Sequence, residues 1–175
     1  NIEFVKAGTA VSNLYAMYSI GLFYNEDGTT NNFRNPIDPK TVTMQKMATD
    51  ILGLPHREIK PKLEDRKVQK DDKLITIAIH GTAQPKYWNN PTGWQEGSLE
   101  SVMDEMAKSK AFIGIGSGLS WLSWGLGTKT VLISGFSEDW AEMEDCIRIG
   151  APKGKCSGCF NRLKLDPADW NWCPD

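Results

Sequence analysis

Apolar and polar positions along the chain change rhythm near residue 74. Before it, the spacing is helical. Residues 8–24 carry Val11, Leu14, Tyr15, Tyr18, Ile20, Leu22 and Phe23 at mostly helical intervals, then meet the polar Asn25-Glu26-Asp27-Gly28; the pattern predicts a helix with one buried face, followed by a loop through Arg34. A second helix is predicted from Asp38 as cap and Pro39 as first helical residue, with Val42, Met44, Met47, Ala48, Ile51 and Leu52 as its stripe and Gly53 and Pro55 as its end. Residues 56–73 are mostly charged and read as a solvated connector, and His56 within them has no partner at metal-ligand spacing.

From residue 74 the pattern shortens to strands. Leu74–Ile79 is β-branched and nearly all apolar. Ser98 is placed to cap a helix with Leu99, Val102, Met103 and Met106 on one face and Lys108 and Lys110 at its end. Ala111–Ile115 is a short apolar run, expected to be a strand buried on both faces. It enters the turn Gly116-Ser117-Gly118, a short helix, and a further strand at Val131–Ser134. Cys146–Gly150 predicts one last short strand. Strands alternating with helices define a doubly wound α/β domain. The stretch after Trp94 is too short for a full crossover, so a segment is expected to be missing between Gln95 and Glu96.

Composition narrows this picture only moderately. The 175 residues are 40% hydrophobic and 24% charged with a formal net charge of −2, which gives no general attraction to nucleic acid or anionic membrane. No apolar run is long enough to span a bilayer, and a cytoplasmic setting follows by default. The chain opens on Asn1 and stops after a Cys-Pro pair, so both ends read as cut from something longer. Seven tryptophans all lie in the second half; most are expected to pack, and a few to line a ligand site.

Two stretches carry candidate binding chemistry. A glycine turn leading into a helix N-terminus offers unpaired N–H groups and the positive end of the helix dipole, which suit phosphate, although any α/β domain also needs tight strand-to-helix turns. The loop after Ile79, His80-Gly-Thr-Ala-Gln-Pro-Lys-Tyr-Trp, places a hydroxyl (Thr82), a cation (Lys86) and an aromatic (Trp88) beyond a strand's carboxyl end, where open parallel sheets bind ligands. The acidic run from Glu138 to Asp145 is read as a solvated face rather than a carboxylate metal site.

All four cysteines fall late in the chain. Cys156-Ser-Gly-Cys159 has the spacing of a tetrahedral thiolate pair. Cys173 is a third candidate ligand, and the fourth is either Cys146 or a cysteine past the end of this sequence. A metal staple is reasonable because the tail is too short and polar to hold a fold by packing. Spacing does not choose between zinc and iron.

Taken in order, these pieces resemble the bacterial autotransporter heptosyltransferases, relatives of the lipopolysaccharide heptosyltransferases. The resemblance rests on His80–Pro91, on Gly116-Ser-Gly-Leu-Ser-Trp-Leu, which is similar to an Asp-Thr-Gly-Leu-Ser-His turn, and on Lys155-Cys-Ser-Gly-Cys-Phe-Asn with Trp172-Cys-Pro. Tyr18–Phe23 and Asp50–Leu54 look like the interdomain region of that family. The likeness implies the C-terminal Rossmann-like half of a GT-B glycosyltransferase, ending in a small cysteine metal finger. Residues 1–73 would then be an interdomain helical region and connector, 74–150 the donor-binding domain, and 151–175 the finger.

The resemblance further implies that Thr82, Lys86 and Trp88, with Ser117, Gly118, Leu119 and Ser120, bind the diphosphate end of ADP-heptose. It makes iron the favoured metal, an autotransporter adhesin the acceptor through its Ser/Thr hydroxyls, and a homo-oligomer the expected assembly. Gly116 and Trp121 depart from the Asp and His of the lipopolysaccharide enzymes. The catalytic base of the family, an Asp, belongs to an amino-terminal domain absent from this chain. A different class of function, a metal-stapled protein-interaction module on an inactive α/β scaffold, is the alternative.

Overall fold

The computed structural model describes residues 3–20, 23, 25–27, 29, 31–35, 37, 41–78 and 97–159. Its centre is a four-stranded parallel sheet with strands in sequence order: β1 (Asp71–Ala78), β2 (Ser109–Ile115), β3 (Lys129–Ile133) and β4 (Ile147–Ile149). Three helices accompany it: α1 (Met44–Ile51), α2 (Leu99–Lys108) and α3 (Gly118–Gly125). The predicted strands are all present, β1 and β2 beginning two or three residues earlier than their apolar runs suggest.

Helix boundaries follow local chemistry. Ser98 caps α2 as expected, its hydroxyl accepting from the Ser101 N–H at 3.2 Å. At α1 the cap is Thr43, whose hydroxyl accepts from the Lys46 N–H at 3.1 Å. The helix therefore starts at Met44, and the predicted start at Asp38 and Pro39 is displaced; those two residues lie outside the described set. Gly53 ends α1 as predicted. It takes φ +65°, and N–H groups of Gly53 and Leu54 return to Asp50 O (3.1 Å) and Thr49 O (2.8 Å), the paired closure that a left-handed residue after a helix permits.

The amino-terminal helix is not formed. Among the described residues of 8–24 there is no helical turn, Asn13 sits at φ +57°, and Val11, Leu14, Tyr15, Tyr18 and Ile20 are all exposed. The periodicity is real, but a single amphipathic helix is marginal in water and forms only when its apolar face has a surface to cover. Among the described residues no surface takes it.

Among the described residues, helices cover one side of the sheet. α2 packs on β1 and β2, α3 on β2 and β3, and the two helices touch. Side chains pointing to them are buried: Phe112, Thr130 and Leu132 are each 2% exposed or less. Trp124 of α3 meets Leu132 and Met143, with Trp121 and Cys146 packed at the edge and the two indoles edge to face at 5.7 Å. Ser123 and Thr130 hydroxyls pair at 3.1 Å, and the Thr128 hydroxyl donates to Met106 O at 2.8 Å, locking α3 to β3 and β3 to α2.

Alternate residues of the same strands face the other way: Ile75, Ile77, Ile113, Val131, Ile133, Ile147 and Ile149. They are half-buried or exposed, reaching 55% at Ile149. β2 meets the expectation of burial on both faces better than its neighbours do: on this side Ala111 and Ile113 are half-buried and Ile115 is only 7% exposed, whereas Ile75, Ile77, Ile133, Ile147 and Ile149 are exposed.

The charged connector is docked rather than free. Arg66 donates to Asp104 (2.7 Å) and Glu100 (2.6 Å) on α2. Lys70 reaches Ser109 O at 3.2 Å, and Pro61 and Leu63 lie where a side chain at Gly125 of α3 would be. Farther back, the Glu58 carboxylate accepts from the Glu144 N–H at 3.2 Å. His56 is exposed, as expected.

Candidate functional site

The carboxyl ends of β2, β3 and β4 converge on the turn that leads into α3. β2 delivers Gly116; Ser117 is extended (φ −154°, ψ 174°) and precedes the first helical residue, Gly118. An N-cap serine normally turns its hydroxyl onto the helix's first N–H groups. Ser117 does not: its Oγ is buried and has no hydrogen-bond partner. Among the described residues no acceptor reaches the N–H of Gly118 or Leu119, whereas those of Ser120 and Trp121 return to Ser117 O at 3.1 and 3.3 Å. The turn therefore presents two free backbone donors and an orphan hydroxyl at the positive end of a helix, a cradle suited to an anion.

Ser120 is used differently. It is fully buried, and its hydroxyl donates back to Ile115 O. With both its N–H and its O–H engaged inside the fold, it braces the turn and leaves presentation to Ser117, Gly118 and Leu119. Thr82, Lys86 and Trp88 lie outside the described residues.

A residue that sequence patterning missed sits against this turn. Within the acidic run read as a solvated face, Asp139, Glu144 and Asp145 are exposed but Glu142 is only 6% exposed. Its carboxylate takes a hydrogen bond from the Ser134 side chain and lies 3.4 Å from Arg148 Nε, close enough to pair but without hydrogen-bond alignment. Burial pushes its pKa up, offset by Ser134 and Arg148. No local signal distinguishes Glu142 from its acidic neighbours; only the fold turns it inward.

The cysteines separate into two groups. Cys146 packs against the Trp124–Leu132–Met143 cluster and donates its S–H to Met143 O at 3.2 Å. Burial raises its pKa. Cys146, the least certain of the candidate ligands, is thus half-buried at the edge of the core. Cys156 and Cys159 lie on a turn with Gly158 at φ +73°, and the Gly158 N–H donates to Gly135 O at 2.7 Å. The loop carrying the pair is thereby tied to Gly135, just past the end of β3. Two thiols so spaced fit half of a tetrahedral set; Cys173 lies outside the described residues. Among the described residues no three metal-ligating side chains gather. Among them, too, no helix is long and apolar enough to cross a membrane.

Fold and site together define an open parallel α/β layer with an uncapped glycine turn, suited to an anion, at its strand ends. No protein-family model matches the chain. Individual relatives do. It is 32% identical over 205 aligned positions to the autotransporter heptosyltransferase Aah of Escherichia coli, covering 91% of this chain and 51% of that protein. The autotransporter heptosyltransferase TibC of E. coli O78:H11 is also 32% identical, over 91% of this chain and 49% of its own length. The inactive autotransporter heptosyltransferase BimC of Burkholderia thailandensis is 25% identical over 99% of the chain and 51% of its own. The crystal structure of dodecameric, iron-containing TibC with ADP-D-β-D-heptose superposes with a TM-score of 0.72 at 29% identity, covering 91% of this chain and 52% of TibC.

The chain belongs to the autotransporter heptosyltransferase family. It spans about half the length of the relatives it matches. Within the matched span it is also shorter: 205 aligned positions against 91% of 175 residues leave about 45 positions of Aah with no counterpart here.

Proposed function

We propose that this chain is the donor-binding half of a glycosyltransferase that moves heptose from ADP-heptose to Ser/Thr hydroxyls of an autotransporter adhesin. The observation that carries the reading is the Ser117–Leu119 cradle, at the strand ends of a domain that superposes on a protein crystallised with ADP-D-β-D-heptose. In this reading the Gly118 and Leu119 N–H groups and the Ser117 hydroxyl hold the diphosphate, and Thr82 and Lys86 complete its shell with Trp88 beside it. As the glycosidic bond to phosphate breaks, negative charge grows on the leaving diphosphate; in this reading the helix N-terminus, fixed beforehand, and the Lys86 charge stabilise it. Deprotonation of the acceptor hydroxyl needs a general base. That base would come from the portion of the relatives this chain does not match, so we expect the 175 residues alone to bind donor without turning it over. The family also includes a member described as inactive, BimC, so membership alone does not carry turnover.

Cys156, Cys159 and Cys173 would hold the metal, which serves as a structural staple for the tail; TibC contains iron, and iron is the ion we assign. We place the protein in the bacterial cytoplasm as a homo-oligomer, by analogy with the dodecameric relative. The Gln95–Glu96 junction, where a segment was expected to be missing, is our assignment for part of the relatives' extra length.

Isothermal calorimetry with ADP tests the reading. Wild type should bind, and Lys86→Ala should bind at least tenfold more weakly, the loss of a charge-assisted phosphate contact. Equal affinity for the two proteins would overturn the role of the Lys86 loop. Absence of binding to either would leave the chain as a scaffold, the interaction-module alternative.

A further inference from the structure

The buried carboxylate beside the cradle has no part in the reading above. Four pieces of chain meet at it: Gly116 at the end of β2, Ser134 just past β3, Glu142 itself in the following loop, and Arg148 in β4. A β-carbon built on Gly116 would lie 3.0 Å from Glu142 Oε1 and 4.0 Å from Ser137 Oγ. The carboxylate therefore crowds position 116, and a side chain there would require Glu142 to give by a few tenths of an ångström. Ser117, the next residue, makes no capping bond of its own.

We propose that Glu142 is a positioning residue for the donor turn: its carboxylate, held by Ser134 and Arg148, packs beside Gly116 and sets the backbone that presents Ser117, Gly118 and Leu119. The role rests on the donor-binding reading of that turn. A buried carboxylate is expensive unless its partners compensate it. Asp139, Glu144 and Asp145, its neighbours in the same run, avoid that cost by facing solvent. Glu142 also faces Asp139, and this repulsion further opposes its charge. The inward position persists because one carboxylate ties together the ends of three strands. Glycine at 116 and glutamate at 142 are thus a matched pair: the first leaves the room that the second occupies.

The matched pair gives a test that a general loss of stability would not reproduce. Gly116 does not occupy the left-handed region, so alanine there introduces no backbone strain and reports the contact with Glu142. Gly116→Ala should weaken ADP binding about tenfold while the thermal midpoint moves little. Glu142→Asp alone, with the carboxylate drawn back by one methylene, should also weaken it. Combined, the shorter acid makes room for the added methyl, and the double variant should bind ADP more tightly than either single variant. Wild-type affinity in Gly116→Ala, or additive losses in the double variant, would overturn the positioning role alone. Failure of wild type to bind ADP would overturn the donor reading and this role with it.

Discussion

The two faces of the sheet obey different rules. Toward α2 and α3 the strands present Phe112, Thr130 and Leu132, closed over by helices and fixed by the Ser123–Thr130 and Thr128–Met106 hydrogen bonds. Away from them the same strands present a row of isoleucines and a valine that solvent reaches. Parallel sheets are ordinarily covered on both faces, and the aliphatic composition of the open face suits a covered surface, not a wet one. The roughly 45 positions that Aah has in excess within the matched span fit that imbalance. Aliphatic core composition can thus occur on a sheet face that no helix among the described residues covers.

The largest effect separating the faces should come from Leu132→Ala. Leu132 is fully buried beside Trp124 and Met143, and its truncation should cost about 2–5 kcal/mol in urea unfolding. A loss below about 1 kcal/mol would mean that the helix-covered face does not hold the fold.

A smaller effect should appear with pH at Glu142, on the covered side. Its folded pKa is raised by burial above the ordinary 4.5. The group therefore favours the folded state most at acid pH, and that contribution falls as pH rises from about 4.5 through the raised value. Glu142→Gln removes the titration, so its thermal midpoint relative to wild type should climb across that range. A difference that stays flat with pH would place the carboxylate in water.

The smallest effect should come from Ile149→Thr on the open face. With the side chain already more than half exposed, stability should change by no more than about 0.5 kcal/mol. Binding of a hydrophobic fluorescent dye should fall, because the variant interrupts an exposed apolar patch. A loss matching that of Leu132→Ala would show that the face is covered in solution.

Much of the architecture is local and was legible in the sequence. The strands announce themselves by β-branched runs, α2 by Ser98 and its stripe, the end of α1 by Gly53, and the cradle by Gly116-Ser117-Gly118 before a helix. Each depends on backbone preference or on neighbours within one turn. The start of α1 was misread because two competing caps, Asp38 and Thr43, lie five residues apart, and hydrophobic spacing does not choose between them. The helix predicted over residues 8–24 failed for a different reason. Periodicity states that one face is apolar, not that something exists to cover it.

The sequence by itself determined the element order from α1 onward, the parallel α/β class, the family and the turn at the strand ends, since all of these follow from short-range pattern. Tertiary structure alone decided which sheet face the helices close, that the connector is pinned by Arg66, that Cys146 packs at the edge of the core, and that Glu142 turns inward onto Gly116. Those outcomes depend on residues distant in sequence meeting in space, where burial, charge pairing and excluded volume act on partners that no local pattern specifies.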